Sequence, residues 1–65
     1  MKIGNQIKRV RKSKGIKQKE FASMIGLSPV HYNAVENDRR TTTIEMLEKI
    51  ATATDTQLVI TFIDK

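Results

Sequence analysis

The sequence predicts an all-α bundle of four to five short helices, closed by a short β-strand at the C-terminus. Three observations predict it. Apolar residues recur at helical spacing in separate stretches, with Ile3, Ile7 and Val10 in one, Phe21 and Ile25 in another, and Ile44, Leu47, Ile50 and Ala51 in a third. Helix-breaking or helix-opening residues fall between these stretches: Gly15, Gly26, Ser28-Pro29 and the pair Thr42-x-x-Glu45. From Gln57 onward Leu-Val-Ile-Thr-Phe-Ile is rich in β-branched and aromatic residues and carries no helical stripe, so it reads as a strand over about 57–63.

Each element has its own reason. Lys8, Arg9, Lys12 and Lys14 surround the first apolar stripe, which makes residues near 4 to 14 an amphipathic helix ended by Gly15. A second, short helix begins near Gln18 and stops before Gly26, supported by Phe21, Ile25 and the following Leu27. Ser28-Pro29 opens a third: the serine hydroxyl can accept from an orphan amide, and the proline ring pre-sets φ where no N–H is missed. This helix runs near Pro29 to Glu36. Asn37-Asp38-Arg39-Arg40-Thr41 is a polar connection, and Thr42-x-x-Glu45 has the form of a capping box opening a fourth helix, whose buried face is Ile44, Leu47, Ile50 and Ala51.

With 65 residues the chain makes one domain, residues 1–65, whose core is small. It has no cysteine, so neither a disulfide nor a thiolate metal site staples the fold, and tidy packing or a partner subunit must do so. No segment approaches a membrane span, and Met1-Lys2-Ile3-Gly4 reaches polar residues at once, which points to the cytoplasm rather than to secretion. Twelve Lys and Arg against seven Asp and Glu give a formal charge of +5, suited to a polyanionic partner and equally to a solvated surface.

The order of the second and third helices carries the functional signal. Within Gln18–Asn37, Ala22 is small enough for two helices to approach closely, and Gly26 supplies the φ > 0 that a tight turn needs. Tyr32 and Val35 face inward, while Pro29, Val30, Asn33 and Ala34 stay outside. Those are the offsets of a helix-turn-helix whose second helix lies in a DNA major groove. Asn33 is the base-reading candidate, because its amide can pair bidentately with adenine, though a surface asparagine can equally be only solvated. Pro29 and Val30 offer apolar contact to thymine methyls. Arg39 and Arg40 follow the reading helix as phosphate clamps or as a solvated loop. His31, the lone histidine, touches phosphate or is merely exposed. Catalysis and metal binding have no support in one histidine, no cysteine, no glycine-rich phosphate loop and too little chain to enclose a pocket, so neither an enzyme nor a cofactor is expected.

The same residues carry a family likeness. Arg11 and Gly15, Gln18 with Glu20-Phe21-Ala22, Ile25-Gly26-Leu27-Ser28, Val35-Glu36-Asn37, and Leu47 with Lys49-Ile50-Ala51 resemble the Xre/Cro-type helix-turn-helix domain of phage and bacterial repressors, up to about Thr54. The resemblance implies a lambda-repressor-like bundle that works as a nucleoid-associated transcription regulator. It implies that Arg11 and Glu36 form an ion pair tying the first helix to the end of the reading helix. It also implies that Gln18 bonds a DNA phosphate and braces the reading helix, and that Asn37 contacts phosphate. Ser28, at the same helix N-terminus as His31, joins the phosphate set.

Three departures stand out. Lys17 takes the place of the usual Ser or Thr cap, which removes the capping box with Glu20 and offers phosphate a lysine instead. Pro29 and Val30 replace the usual polar readers. Tyr32 replaces an aliphatic residue and is expected to hold its hydroxyl at the surface or on a backbone group.

A lone apolar strand has no partner in the chain. Leu58, Val59, Ile60, Thr61, Phe62 and Ile63 are therefore expected to pair with their copies in a homodimer; an edge fold-back or a last helical turn is the alternative. Such a tail weakly resembles the HipB-type and HigA-type antitoxins. The functional expectation is thus a repressor binding a pseudo-palindromic operator in double-stranded DNA as a homodimer. The alternative is an antitoxin whose main partner is a toxin protein.

Overall fold

The computed structural model describes residues 3–64; Met1 and Lys2, read above as a polar chain start, lie outside them, as does Lys65. Within these residues the chain forms α1 (Gly4–Ser13), α2 (Gln18–Met24), α3 (Pro29–Glu36) and α4 (Ile44–Ala53). α1 and α2 both pack on α3. The core is built from one face of each helix: Ile7 from α1, Phe21 and Ala22 from α2 with Ile25 just after it, Tyr32 and Val35 from α3, and Leu47 and Ile50 from α4. Ala22 is fully buried, as the close approach of α2 and α3 requires. The Phe21 and Tyr32 rings meet edge to face, 5.4 Å between centroids at 73°, a favourable aromatic geometry.

All four helices stop in the same way. A residue at positive φ follows each C-cap: Gly15 (70°), Gly26 (77°), Asp38 (59°) and Asp55 (53°). Behind it the next amide reaches back to the helix: Ile16 N to Arg11 O, Leu27 N to Ala22 O, Arg39 N to Ala34 O and Thr56 N to Ala51 O. This is the Schellman arrangement, which satisfies carbonyls the helix cannot. Asp38 does more than tolerate the left-handed turn, since its Oδ1 accepts from Gly4 N at 3.0 Å and so caps the start of α1 from across the molecule. Gly4 lies so close to the end of α3 that a Cβ there would come within 2.1 Å of Glu36 O.

Several expectations change on folding. The cap of α4 is Thr43, not Thr42: Thr43 Oγ1 accepts from Met46 N at 3.1 Å, while Thr42 Oγ1 is buried without a hydrogen-bond partner. Ile44 therefore opens the helix and is 58% exposed instead of contributing to its buried face. It lines an apolar groove of about 610 Å³ between α1, α4 and the tail, with Ile3, Ile7, Leu47 and Leu58 among its walls.

The tail is the larger correction. Residues 57–63 form no strand, and the described residues contain four helices and no sheet. The reason is that a strand is defined by its ladder, and the described residues offer no second edge to pair with. Leu58 packs on the core, whereas Val59, Ile60, Phe62 and Ile63 are exposed.

Gly4→Ala, which in an open helix would stabilise, should here cost about 1–3 kcal/mol because the added methyl meets the α3 backbone. Asp55→Gly should raise stability by about 0.5–1 kcal/mol by relieving a left-handed residue, whereas Asp38→Gly should lower it through loss of the bond to Gly4. Denaturant midpoints of the three variants decide the matter, and a destabilised Asp55→Gly would contradict the turn analysis.

Candidate nucleic-acid interface

α3 is short but has two distinct faces. Tyr32, Val35 and Glu36 point inward and are buried. On the other side, the 3.6-residue repeat gathers positions 29, 30, 33, 34 and 37. Pro29, Val30 and Asn37 are exposed there, Val30 by 82%, and Asn33 and Ala34 are half-buried. The four expected base-contact residues thus share one outer face.

The residues expected at phosphate flank that face at helix ends. Lys17 is the exposed N-cap residue of α2 and gives no side-chain cap bond, so that helix starts without the usual box. Gln18 follows it, half-buried. Ser28 caps α3, its Oγ accepting from His31 N at 3.1 Å, and Pro29 holds the first helical position. His31 is half-buried beside it. Arg39 and Arg40 are exposed just past the C-terminal turn of α3.

Behind the outer face sits a buried carboxylate. Glu36, only 4% exposed, accepts from Arg11 Nε at 2.7 Å, from Gln18 Nε2 at 2.8 Å and from the Tyr32 hydroxyl. Arg11 also donates through Nη1 to Ile16 O at 2.5 Å, tying the end of α1 to the same centre. The Tyr32 hydroxyl is therefore neither at the surface nor on a backbone group, because an ionised acceptor one helical turn away on the same face is the stronger partner. Burial alone would raise the Glu36 pKa, but the bonds from Arg11, Tyr32 and Gln18 outweigh it and hold the carboxyl below its ordinary range. The bond to Glu36 pushes the Arg11 pKa up against the cost of burial. Burial, and then the bond to Glu36, pushes the Tyr32 phenol up.

From this centre hydrogen bonds run out to the reading face. Asn33 Nδ2 donates to Gln18 Oε1 at 3.3 Å, and Asn37 Nδ2 donates to Asn33 Oδ1 at 3.1 Å and to Asn33 O at 2.9 Å. Sequence reasoning had Gln18 brace the reading helix through the family likeness but did not name Asn33 as its partner, since a contact between two helices leaves no periodic trace. It also missed Gly4 and Asp38. A glycine opening an amphipathic helix, at a first-turn position that other residues fill at least as well, was the available signal for a close approach.

Two helices joined by a tight glycine turn, the second buried on one side and open on the other, define a DNA-binding helix-turn-helix protein. The chain belongs to the helix-turn-helix family, of Xre type, whose family model matches residues 7–60. It is similar to the control protein C.MunI of Mycoplasma sp, with 36% identity over 52 residues that cover 78% of this chain and 70% of that protein. No solved structure matches. The chain is accordingly a DNA-binding transcription regulator. Among the described residues no helix is long and apolar enough to cross a membrane.

Because the folded-state pKa of Glu36 is depressed, its stabilising contribution is present above the ordinary glutamate range near pH 4.3 and is lost as pH falls below it. Glu36→Gln should cost about 3–5 kcal/mol at neutral pH by stranding Arg11, and the gap from the unmodified protein should narrow steadily as acid is added below that range. Unfolding curves of both proteins from pH 7 downward test this. A gap independent of pH would mean that the carboxylate charge is not what holds the centre together.

Proposed function

We propose that the chain acts as a single DNA-binding unit that represses transcription by occupying a pseudo-palindromic operator as a homodimer. The observation that carries the reading is the outer face of α3, where Pro29, Val30, Asn33 and Ala34 stand clear of the core on a helix whose other side is locked in place. Asn33 would meet base edges by hydrogen bonding, and Pro29, Val30 and Ala34 would meet them by apolar contact. Lys17, Gln18, Ser28, His31, Asn37, Arg39 and Arg40 sit at the ends of α2 and α3 and would grip the backbone on either side, giving register but no base information. The formal charge of +5 favours approach to the duplex, and a place on the nucleoid follows from it. The similarity to a control protein supports regulation as the biological output.

The exposed apolar tail supports the dimer. Val59, Ile60, Phe62 and Ile63 are largely exposed, and the backbone of residues 57–63 has no ladder partner among the described residues. A two-fold pairing of tails would hide these side chains, satisfy the backbone and place two reading heads on one symmetric site.

Binding to operator duplex should weaken steeply as salt rises, because each neutralised phosphate releases condensed counterion. Titration across ionic strengths checks this, and an affinity indifferent to salt would remove the phosphate assignments. Footprinting over the promoter should show a protected site whose occupancy lowers transcription. For the dimer, Ile60→Pro should give a folded monomer in sedimentation and lose most specific affinity, because proline removes an N–H from the ladder and one head lacks the avidity of two. A full-length chain that sediments as a monomer at high concentration, with or without operator, would refute the paired tails.

A further inference from the structure

Three carboxamides lie in series across the helix-turn-helix, and the series ends on a carboxylate. Asn37 donates to Asn33, Asn33 donates to Gln18, and Gln18 donates to Glu36. On an open helix surface an amide is indifferent to being turned over, since exchanging its NH₂ for its oxygen changes little in water. Here the last acceptor decides. Ionised Glu36 has no proton to give, so Gln18 must turn its nitrogen inward and its oxygen outward. Asn33 must in turn offer its nitrogen to that oxygen. Turning Asn33 over would set oxygen against oxygen at bonding distance, where both residues are half-buried and water cannot freely intervene.

What Asn33 retains is one N–H and one lone pair on Oδ1. A donor beside an acceptor is the complement of the major-groove edge of adenine, which accepts at N7 and donates at N6, whereas guanine shows two acceptors. Pro29, Val30 and Ala34 carry no side-chain hydrogen-bonding group, so among the four outer residues the polar readout falls to Asn33.

We propose that Asn33 specifies an adenine in each operator half-site, and that Gln18 is a positioning residue that keeps the Asn33 amide in its adenine-reading sense by transmitting the acceptor-only character of Glu36. This rests on the DNA-reading function proposed above and adds to it what sets the sense of the Asn33 amide, the inward bond of Gln18 to Glu36.

The test is selection from a random duplex pool with the unmodified full chain, Asn33→Ala, Gln18→Ala and Asn37→Ala, each first shown by melting to be folded. Gln18→Ala leaves Glu36 its bonds from Arg11 and Tyr32, so the fold is expected to survive. The unmodified chain should enrich adenine at one position of each half-site by about tenfold or more over other bases. Asn33→Ala should abolish that preference and leave the remaining positions as they were. Gln18→Ala should bind more weakly and broaden the same position to within about threefold among bases, because the amide is then free to turn over. Asn37→Ala should weaken all sequences evenly and keep the adenine, since the direction of the series is set from its inner end.

An operator without an adenine that depends on Asn33 would overturn the inference, as would a Gln18→Ala protein that selects adenine as sharply as the unmodified chain. Loss of the adenine in Asn37→Ala to the same degree as in Gln18→Ala would show that the direction is not set by Glu36. A chain that enriches no sequence at all would overturn the DNA-reading function itself, an outcome distinct from the others.

Discussion

The arrangement of the first three helices depends on one buried charge. Glu36 is removed from water at the end of α3, and a carboxylate so placed costs several kcal/mol unless donors replace the lost hydration. Arg11, Gln18 and Tyr32 are those donors, one each from α1, α2 and α3 itself. The ion pair is not a large net source of stability, because its Coulomb attraction is largely offset by the desolvation of both partners. Its consequence is geometric. The donors have fixed lengths and directions, so the carboxylate is satisfied at one mutual placement of the three helices, whereas Ile7, Phe21 and Val35 would tolerate small slides. A reading helix must be held to within fractions of an ångström to be useful, and a core this small does not supply that by packing alone.

A second constraint closes the same corner from the backbone side. Gly4 approaches the last carbonyls of α3 more closely than any other residue type allows, and its amide is taken up by Asp38 in the turn that ends α3. One turn therefore does two things: it terminates α3 in the left-handed conformation and it caps α1. The start of α1 is held by Asp38 and its last turn by Glu36, through Arg11, so this helix is fixed against α3 along its length.

How far the sequence revealed this depended on the range of each interaction. α3 was legible to the residue, because Ser28-Pro29 and the inward pair Tyr32 and Val35 are local signals. The five-residue polar run Asn37-Asp38-Arg39-Arg40-Thr41 before α4 was legible as a connection, yet with three threonines in succession the capping box at Thr42 and the true cap at Thr43 differ only in which hydroxyl points at an amide. The ion pair of Arg11 and Glu36, 25 residues apart, came from family likeness and not from periodicity. The likeness also gave Gln18 as a brace of the reading helix without naming Asn33 as the residue it meets, and the approach of Gly4 to α3 lay beyond both, since each is a property of two helices already docked. In the tail the residue types read as a strand, and the single chain forms none, because strand propensity describes a fit to neighbours that a lone segment does not have.

The two halves of the molecule use different physics. Around α3 the contacts that set position are polar, directional and satisfied within the chain. Around α4 and the tail they are mostly apolar, with Ile44, Val59 and Ile60 largely exposed along the groove between α1, α4 and the tail, and Phe62 and Ile63 exposed beyond it. In the proposed dimer this division has a use. The paired tails would bury apolar side chains and join their backbones by a directional ladder, so they would fix the separation of the two reading heads, while the polar centre fixes how each reading helix is held within its own head.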